Sequence, residues 1–212
     1  MVSLNDWLSF TFIAMLVTLT PGPAVIMSLS NSISHGPWRA MIGSLGNAIG
    51  LLLIASATSA GLGALLIASA TAFLVLKVAG ASYLIYLGIK QWRSRNRAFD
   101  NVQANPSENL SGWKLFTKGF SVAITNPKAI LFFAAFLPQF IQGGDSSLSY
   151  LVVLIITFAG CSIVAHLFYA LLAQTLKGYL ATPARAKALN RLFGASFMGL
   201  GISLLTIRGK VA

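Results

Sequence analysis

The chain has 212 residues, of which 56% are hydrophobic and 9% charged, with a mean hydropathy of +0.78. Soluble domains carry roughly 25% charged residues, and several runs here exceed the ~20 apolar residues that cross a bilayer. These features exclude a soluble enzyme, and the net charge of +11, gathered at the ends of apolar segments, reads as topology control and not as a nucleic-acid surface.

Six segments follow in chain order. Segment 1 runs from about Leu4 to Ser34 and is broken at Pro21, inside Thr20-Pro21-Gly22-Pro23. It lacks a positive leader and is too long for a signal peptide, so it is expected to be retained. Segment 2 (Arg39 to Leu66) carries Gly43, Gly46 and Gly50, which let a neighbouring backbone or a ligand approach. Segment 3 (Thr71 to Trp92) ends in Lys90, Arg93, Arg95 and Arg97. The polar stretch from Arg95 to Ser111 reads as an exposed linker. Segment 4 (Trp113 to Ile141) is broken at Pro127, inside Thr125-Asn126-Pro127-Lys128. Segment 5 runs from Leu148 to Leu176, a basic loop holds Lys177, Arg185, Lys187 and Arg191, and segment 6 runs from Leu189 to Ile207.

Proline removes a backbone donor and clashes with the preceding turn, so segments 1 and 4 are each predicted to split into two half-helices. Within hydrocarbon, the freed backbone groups persist only where protein or a water-filled cavity satisfies them. The connections after segments 1, 3 and 5 are basic and those after segments 2 and 4 hold no Lys or Arg. The positive-inside rule then puts both termini outside. Lys77-x-x-Gly80-Ala81-Ser82-Tyr83 in segment 3 and Arg191-x-x-Gly194-Ala195-Ser196-Phe197 in segment 6 match in order with the two breaks. The expected fold is therefore all-α: a polytopic membrane protein of six transmembrane helices in a 3+3 inverted repeat, with helices 1 and 4 broken. It is one transporter domain over 1–212, with repeat 1 over about 1–94, a linker over about 95–112 and repeat 2 over about 113–212.

The four acidic residues, Asp6, Asp100, Glu108 and Asp145, all fall at segment edges or in loops. No carboxylate lies at mid-depth, so no metal site is expected. The lone Cys161 excludes an intramolecular disulfide. Lys128 follows Pro127 deep in segment 4. An intramembrane charge costs at least ~2.5–3.5 kcal/mol, which makes it a site candidate by default. Two half-helix N-termini add positive dipole ends. Such a place lacks a negative partner, and a substrate carboxylate would supply one; alternatively, Lys128 is satisfied by carbonyls freed at the Pro21 break and touches no ligand. Lys77 is expected to snorkel to the outer interface. His166 titrates near neutrality when unperturbed and is a proton-relay candidate, or else simply hydrogen-bonded. Ser162 shares its helix face, but no orienting acid or nucleophile-elbow motif makes the pair a hydrolase. Asn47 faces either a ligand or a neighbouring helix. Asn126 caps a half-helix, contacts substrate, or does both, and Gln139, beyond a helix-end Pro138, is placed to line an exit.

Thr20-Pro21-Gly22-Pro23, Gly46-Asn47-Ala48-Ile49-Gly50, Gly80-Ala81-Ser82-Tyr83-Leu84 and Asn126-Pro127-Lys128 stand in the order seen in the LysE/RhtB family of bacterial amino-acid exporters. The chain resembles that family over nearly its whole length. Phe136-Leu137-Pro138-Gln139-Phe140-Ile141 and Asn190-Arg191-Leu192-Phe193-Gly194 look most like its homoserine and threonine exporter branch. The resemblance implies a multi-pass protein of the bacterial cytoplasmic (inner) membrane, without cofactor or enzymatic activity, that exports small amino acids by alternating access driven by protons. Its substrate-binding residues would be Thr20, Pro21, Gly22, Pro23, Asn47, Thr125, Asn126, Pro127 and Lys128. Relatives often carry an acid or a His inside segments 2 and 5. Here segment 2 has neither and Ser162 stands where relatives carry Asp, so His166 is left as the proton-coupling candidate. The partners are then the amino acid, protons and lipid, with no nucleic acid and with homo-oligomerisation left open. The competing readings are a non-transporting scaffold whose prolines are packing kinks, and an exporter of another small solute.

Overall fold

The computed structural model describes residues 4–68, 70–94, 110–142, 148–173, 175 and 182–206. The linker read over 95–112 therefore lies mostly outside the described residues, as do Lys177, the acidic residues Asp100, Glu108 and Asp145, and the side chains of Pro138 and Gln139. Among the described residues there are eight helices and no strand. They are α1 (Leu4–Leu19), α2 (Pro23–His35), α3 (Pro37–Ala68), α4 (Ala70–Arg93), α5 (Gly112–Ile124), α6 (Pro127–Gln142), α7 (Leu148–Leu171) and α8 (Pro183–Thr206).

Both proline elements interrupt a helix. At the first, α1 ends at Leu19 and α2 begins at Pro23, whose fixed φ and missing donor suit a first helical turn. At the second, α5 ends at Ile124 and α6 begins at Pro127. Between α2 and α3, Gly36 takes φ 85°, a left-handed turn that glycine adopts without strain, and lets Pro37 open the next helix at once.

The last helix starts earlier than the apolar pattern suggests, at Pro183 and not Leu189. Its first turns carry Arg185 and Lys187, so these residues sit on a helix and not in a basic loop. The apolar count missed this turn because a Pro-initiated helix end can be polar while its backbone is already helical.

Among the described residues, two helices are long and apolar enough to cross a bilayer alone, α3 over Pro37–Ala60 and α7 over Leu148–Leu171. The pair α1 and α2, bent by 59°, makes a third when taken as one broken span. Three of the others carry two or three cations each: Lys77, Lys90 and Arg93 on α4, Lys114 and Lys118 on α5, and Arg185, Lys187 and Arg191 on α8.

The most extensive packing joins α4 to α8 and α3 to α5, and α3 and α7 cross at the centre. The α3–α5 seam needs glycine. A Cβ on Gly119 would collide with the Gly43 carbonyl, and one on Gly46 with the Phe116 carbonyl, so the two backbones approach as only small residues allow. Serines fasten α2 to α7, with Ser28 Oγ donating to the His166 carbonyl (3.2 Å) and Ser32 Oγ to that of Ala170 (2.6 Å). The core on the Pro127-to-Gln142 side of the breaks is aromatic. Phe10, Phe132, Phe133, Phe136 and Phe158 are all buried, with Phe158 4.8 Å from Phe132 and 4.7 Å from Phe133 between ring centroids.

Candidate functional site

The two breaks meet. Lys128, in the first turn of α6, reaches across to the C-terminal end of α1, where its Nζ donates to the carbonyls of Thr20 (2.9 Å) and Val17 (3.0 Å). Both lie at the last turn of α1, where carbonyls are incompletely satisfied and carry the negative end of the helix dipole; the Val17 carbonyl also accepts a longer bond from the Thr20 amide (3.3 Å). Neighbouring acceptors are taken by fixed groups: Tyr169 Oη on α7 donates to the Leu19 carbonyl (2.6 Å), and Thr20 Oγ1 donates to that of Leu16 (2.7 Å).

The half-helix N-termini differ. Asn126 Oδ1 accepts from the amide of Lys128 (3.1 Å) and so caps α6. Gly22, at the head of α2, has no side chain to do the same, and no side chain caps that end. Gly22 also lies against the lysine, since a Cβ there would come 3.3 Å from Nζ.

Two cavities flank Lys128, and both are lined by Lys128 and Asn126. The larger, about 310 Å³, reaches from Pro21, Gly22, Pro23 and Pro127 to Lys90, Gln91 and Ser94 at the C-terminal end of α4. Its volume falls at the lower end of the range of small-molecule sites. Tyr83 and Phe197 form part of its wall, and the Phe197 ring centroid is 6.0 Å from Nζ, within cation–π range. Behind two of its lining residues stands Asn190, whose Oδ1 accepts from Gln91 Nε2 (2.9 Å) and whose Nδ2 donates to the Ser94 carbonyl (3.3 Å). The smaller cavity, about 20 Å³, is lined by Asn47, Ser162 and His166 besides Lys128; it has room for about one water. His166 is 2% exposed and its Nδ1 has no hydrogen-bond partner among the described residues.

The sequence candidates thus divide. Thr20, Pro21, Gly22, Pro23, Asn126, Pro127 and Lys128 converge on one place. Asn47 lies on the small cavity and is engaged between helices, its Oδ1 accepting from Ser162 Oγ (3.3 Å) and its Nδ2 directed to the Gly119 carbonyl (3.5 Å). Thr125 is exposed, lines neither cavity, and bonds within its own helix, its Oγ1 donating to the Ser121 carbonyl (2.8 Å). Lys77 is 8% exposed and so buried against its neighbours. Sequence reasoning did not single out Tyr83, Gln91, Phe197 or Tyr169. Tyr83 and Phe197 close the two matched Gly-Ala-Ser motifs, a signal that marked the repeat without showing that both rings face the same cavity.

Residues 15–208 match the LysE type translocator family. Proteins of Salmonella typhimurium and Salmonella typhi, each named homoserine/homoserine lactone efflux protein, are 36% identical over 202 residues, which cover 95% of this chain and 97% of theirs. A protein of Vibrio cholerae named uncharacterized membrane protein is 34% identical over 207 residues, covering 98% of this chain and 100% of its own. No solved structure matches the chain.

Proposed function

The chain belongs to the LysE type translocator family, and from that membership we propose that it is a secondary active exporter of small neutral amino acids or their derivatives, homoserine-like in the first instance. The relatives named for homoserine and homoserine lactone efflux, similar over almost the full length of both chains, support that substrate class. The observation that carries the proposal is the position of Lys128, where two broken helices meet at the inner end of a cavity of about 310 Å³.

Six spans in a 3+3 inverted repeat, each repeat opening with a broken helix, accommodate these contacts: α3 against α7 and α4 against α8 would each pair with their own counterparts across the pseudo-two-fold axis, and α1–α7 would answer α5–α3. With both termini outside, the end of α4 that carries Lys90 and Arg93 faces the cytoplasm. The larger cavity then opens inward while the phenylalanine cluster closes the outer half, the state that loads an exporter. The substrate carboxylate turns to Lys128 and the half-helix N-termini, the uncapped α2 above all, and the ammonium turns to carbonyls near Thr20, with Thr125 and Asn47 the more distant candidates. Protons drive the cycle, with His166 beside Lys128 across the small cavity as the group placed to take one. The cavity at the breaks weighs against a scaffold with packing kinks, which needs none.

Radiolabelled homoserine efflux from loaded proteoliposomes tests the proposal. Lys128→Ala is expected to lower the rate roughly ten- to a hundredfold, the loss of one charge-assisted hydrogen bond of about 1.5–3 kcal/mol. Efflux at the wild-type rate would remove Lys128 from the site.

A further inference from the structure

Lys128 holds two acceptors that belong to another half-helix. The Val17 and Thr20 carbonyls sit at the negative end of α1, and the ammonium on them, 3.0 and 2.9 Å away, comes from α6. Around them the other donors are fixed groups: the rigid ring of Tyr169 holds Leu19, Thr20 Oγ1 holds Leu16, and the Thr20 amide reaches the Leu16 and Val17 carbonyls at 3.2 and 3.3 Å. Only these two carbonyls are held by a long, flexible stem ending in a group with three rotatable donors, one of which the two bonds leave over. The stem lies along a wall of the larger cavity beside Gly22, whose missing side chain leaves the approach to Nζ open. Phe197 presents a second cation-attracting surface 6.0 Å from the same nitrogen.

We infer that the Val17 and Thr20 carbonyls form a binding site for a primary ammonium, that Lys128 fills it in the empty protein, and that the ammonium of an incoming substrate displaces Lys128 from it. The inference rests on reading the breaks as the substrate site. Two ammonium groups do not share two carbonyls, so the displaced lysine swings on its stem toward the substrate carboxylate, and each end of the zwitterion meets a charge or dipole of opposite sign. When the substrate leaves, the lysine returns, and the carbonyls are never left bare in a low-dielectric interior, where an unpaired buried acceptor is costly. Lys128 is thus a tethered stand-in for substrate, and the empty carrier is internally satisfied. A carboxylate is what rewards the exchange: an amine without one displaces the lysine and offers it nothing.

Ethylammonium is the probe, because it carries the ammonium alone. In the full-length wild-type protein in detergent, Lys128 is acetylated by a small amine-reactive reagent and its peptide is quantified by mass spectrometry against that of Lys90, which lines the same cavity; the ratio cancels reagent consumed by free amine. Saturating ethylammonium is expected to raise the Lys128-to-Lys90 ratio severalfold, whereas tetramethylammonium, which has no N–H to donate, leaves it unchanged. In Lys128→Ala, where no ammonium occupies the two carbonyls, ethylammonium is expected to raise the thermal midpoint saturably and tetramethylammonium not at all. A Lys128 ratio unmoved or lowered by ethylammonium overturns the inference, as does an equal midpoint response in wild type and Lys128→Ala. If the variant does not survive extraction, the wild-type labelling decides alone. Neither readout uses homoserine, so failure here is distinct from failure of the efflux assay.

Discussion

The break between α1 and α2 and the break between α5 and α6 are made from the same residue types, a threonine and a proline ahead of a new half-helix, yet they are completed in opposite ways. The second is satisfied within itself: the Thr125 amide and Oγ1 both bond to the Ser121 carbonyl, the Asn126 amide bonds to Ala123, and Asn126 Oδ1 caps α6. The first makes the same amide and hydroxyl bonds from Thr20 to the Leu16 carbonyl, but its Val17, Leu19 and Thr20 carbonyls take donors from other helices, Lys128 of α6 and Tyr169 of α7, and no side chain caps α2. A break that closes itself is a platform, and one that borrows its partners can exchange them. The difference teaches that a repeat can be symmetric in backbone while its chemistry lies on one side, with the self-contained copy supplying the lysine that the open copy needs.

Tyr169→Phe attacks the borrowed side most directly. It removes one oxygen and leaves the half-buried Leu19 carbonyl without that donor. An orphaned buried acceptor costs about 1–3 kcal/mol. The variant is expected to unfold at a clearly lower temperature in detergent and to export several-fold more slowly, since the neighbouring Val17 and Thr20 carbonyls lose their rigid support. A wild-type thermal midpoint would mean that the first break is held by Lys128 alone.

Asn126→Ala tests the platform. The lost cap should cost about 1 kcal/mol, and the effect should reach transport through the aim of Lys128, whose own amide the cap holds. Asn126→Asp keeps an acceptor for that amide and is expected to recover most of the stability. If both variants lose efflux equally while only the alanine loses stability, the Asn126 side chain acts on substrate itself, as its place on both cavities would permit.

Much of this was legible in the sequence because proline is a local statement: Pro23 and Pro127 start helices in the structure because their rings forbid the alternatives. Lys128 stood out for a similar reason, as a charge deep in an apolar run. What was hidden depends on how one helix is rotated against another. The donor on the Leu19 carbonyl lies 150 residues away on α7, and Tyr169 looks like any other aromatic in an apolar segment. Asn47, between glycines, reads as ligand-facing or helix-facing until α7 brings Ser162 to its oxygen. Lys77 offers the same lesson: a cation near a segment end reads as snorkelling, and only the packed bundle shows it buried.

Thr125 and Thr20 give the finest separation of the two sides. Both hydroxyls donate to a carbonyl four residues back, so neither is needed to satisfy its break, and valine keeps the shape of each. Thr20 is 1% exposed and its carbonyl holds Lys128, whereas Thr125 is exposed and lines neither cavity. Thr125→Val is expected to change stability by less than about 0.5 kcal/mol, as exposed substitutions do, and to leave the homoserine efflux rate unaltered. Thr20→Val, at the buried position, should lower efflux modestly by loosening the turn that aims the carbonyl at Lys128. Equal losses from the two valines would mean that substrate reads both breaks alike, and the asymmetry drawn from Lys128 would then describe only the resting protein.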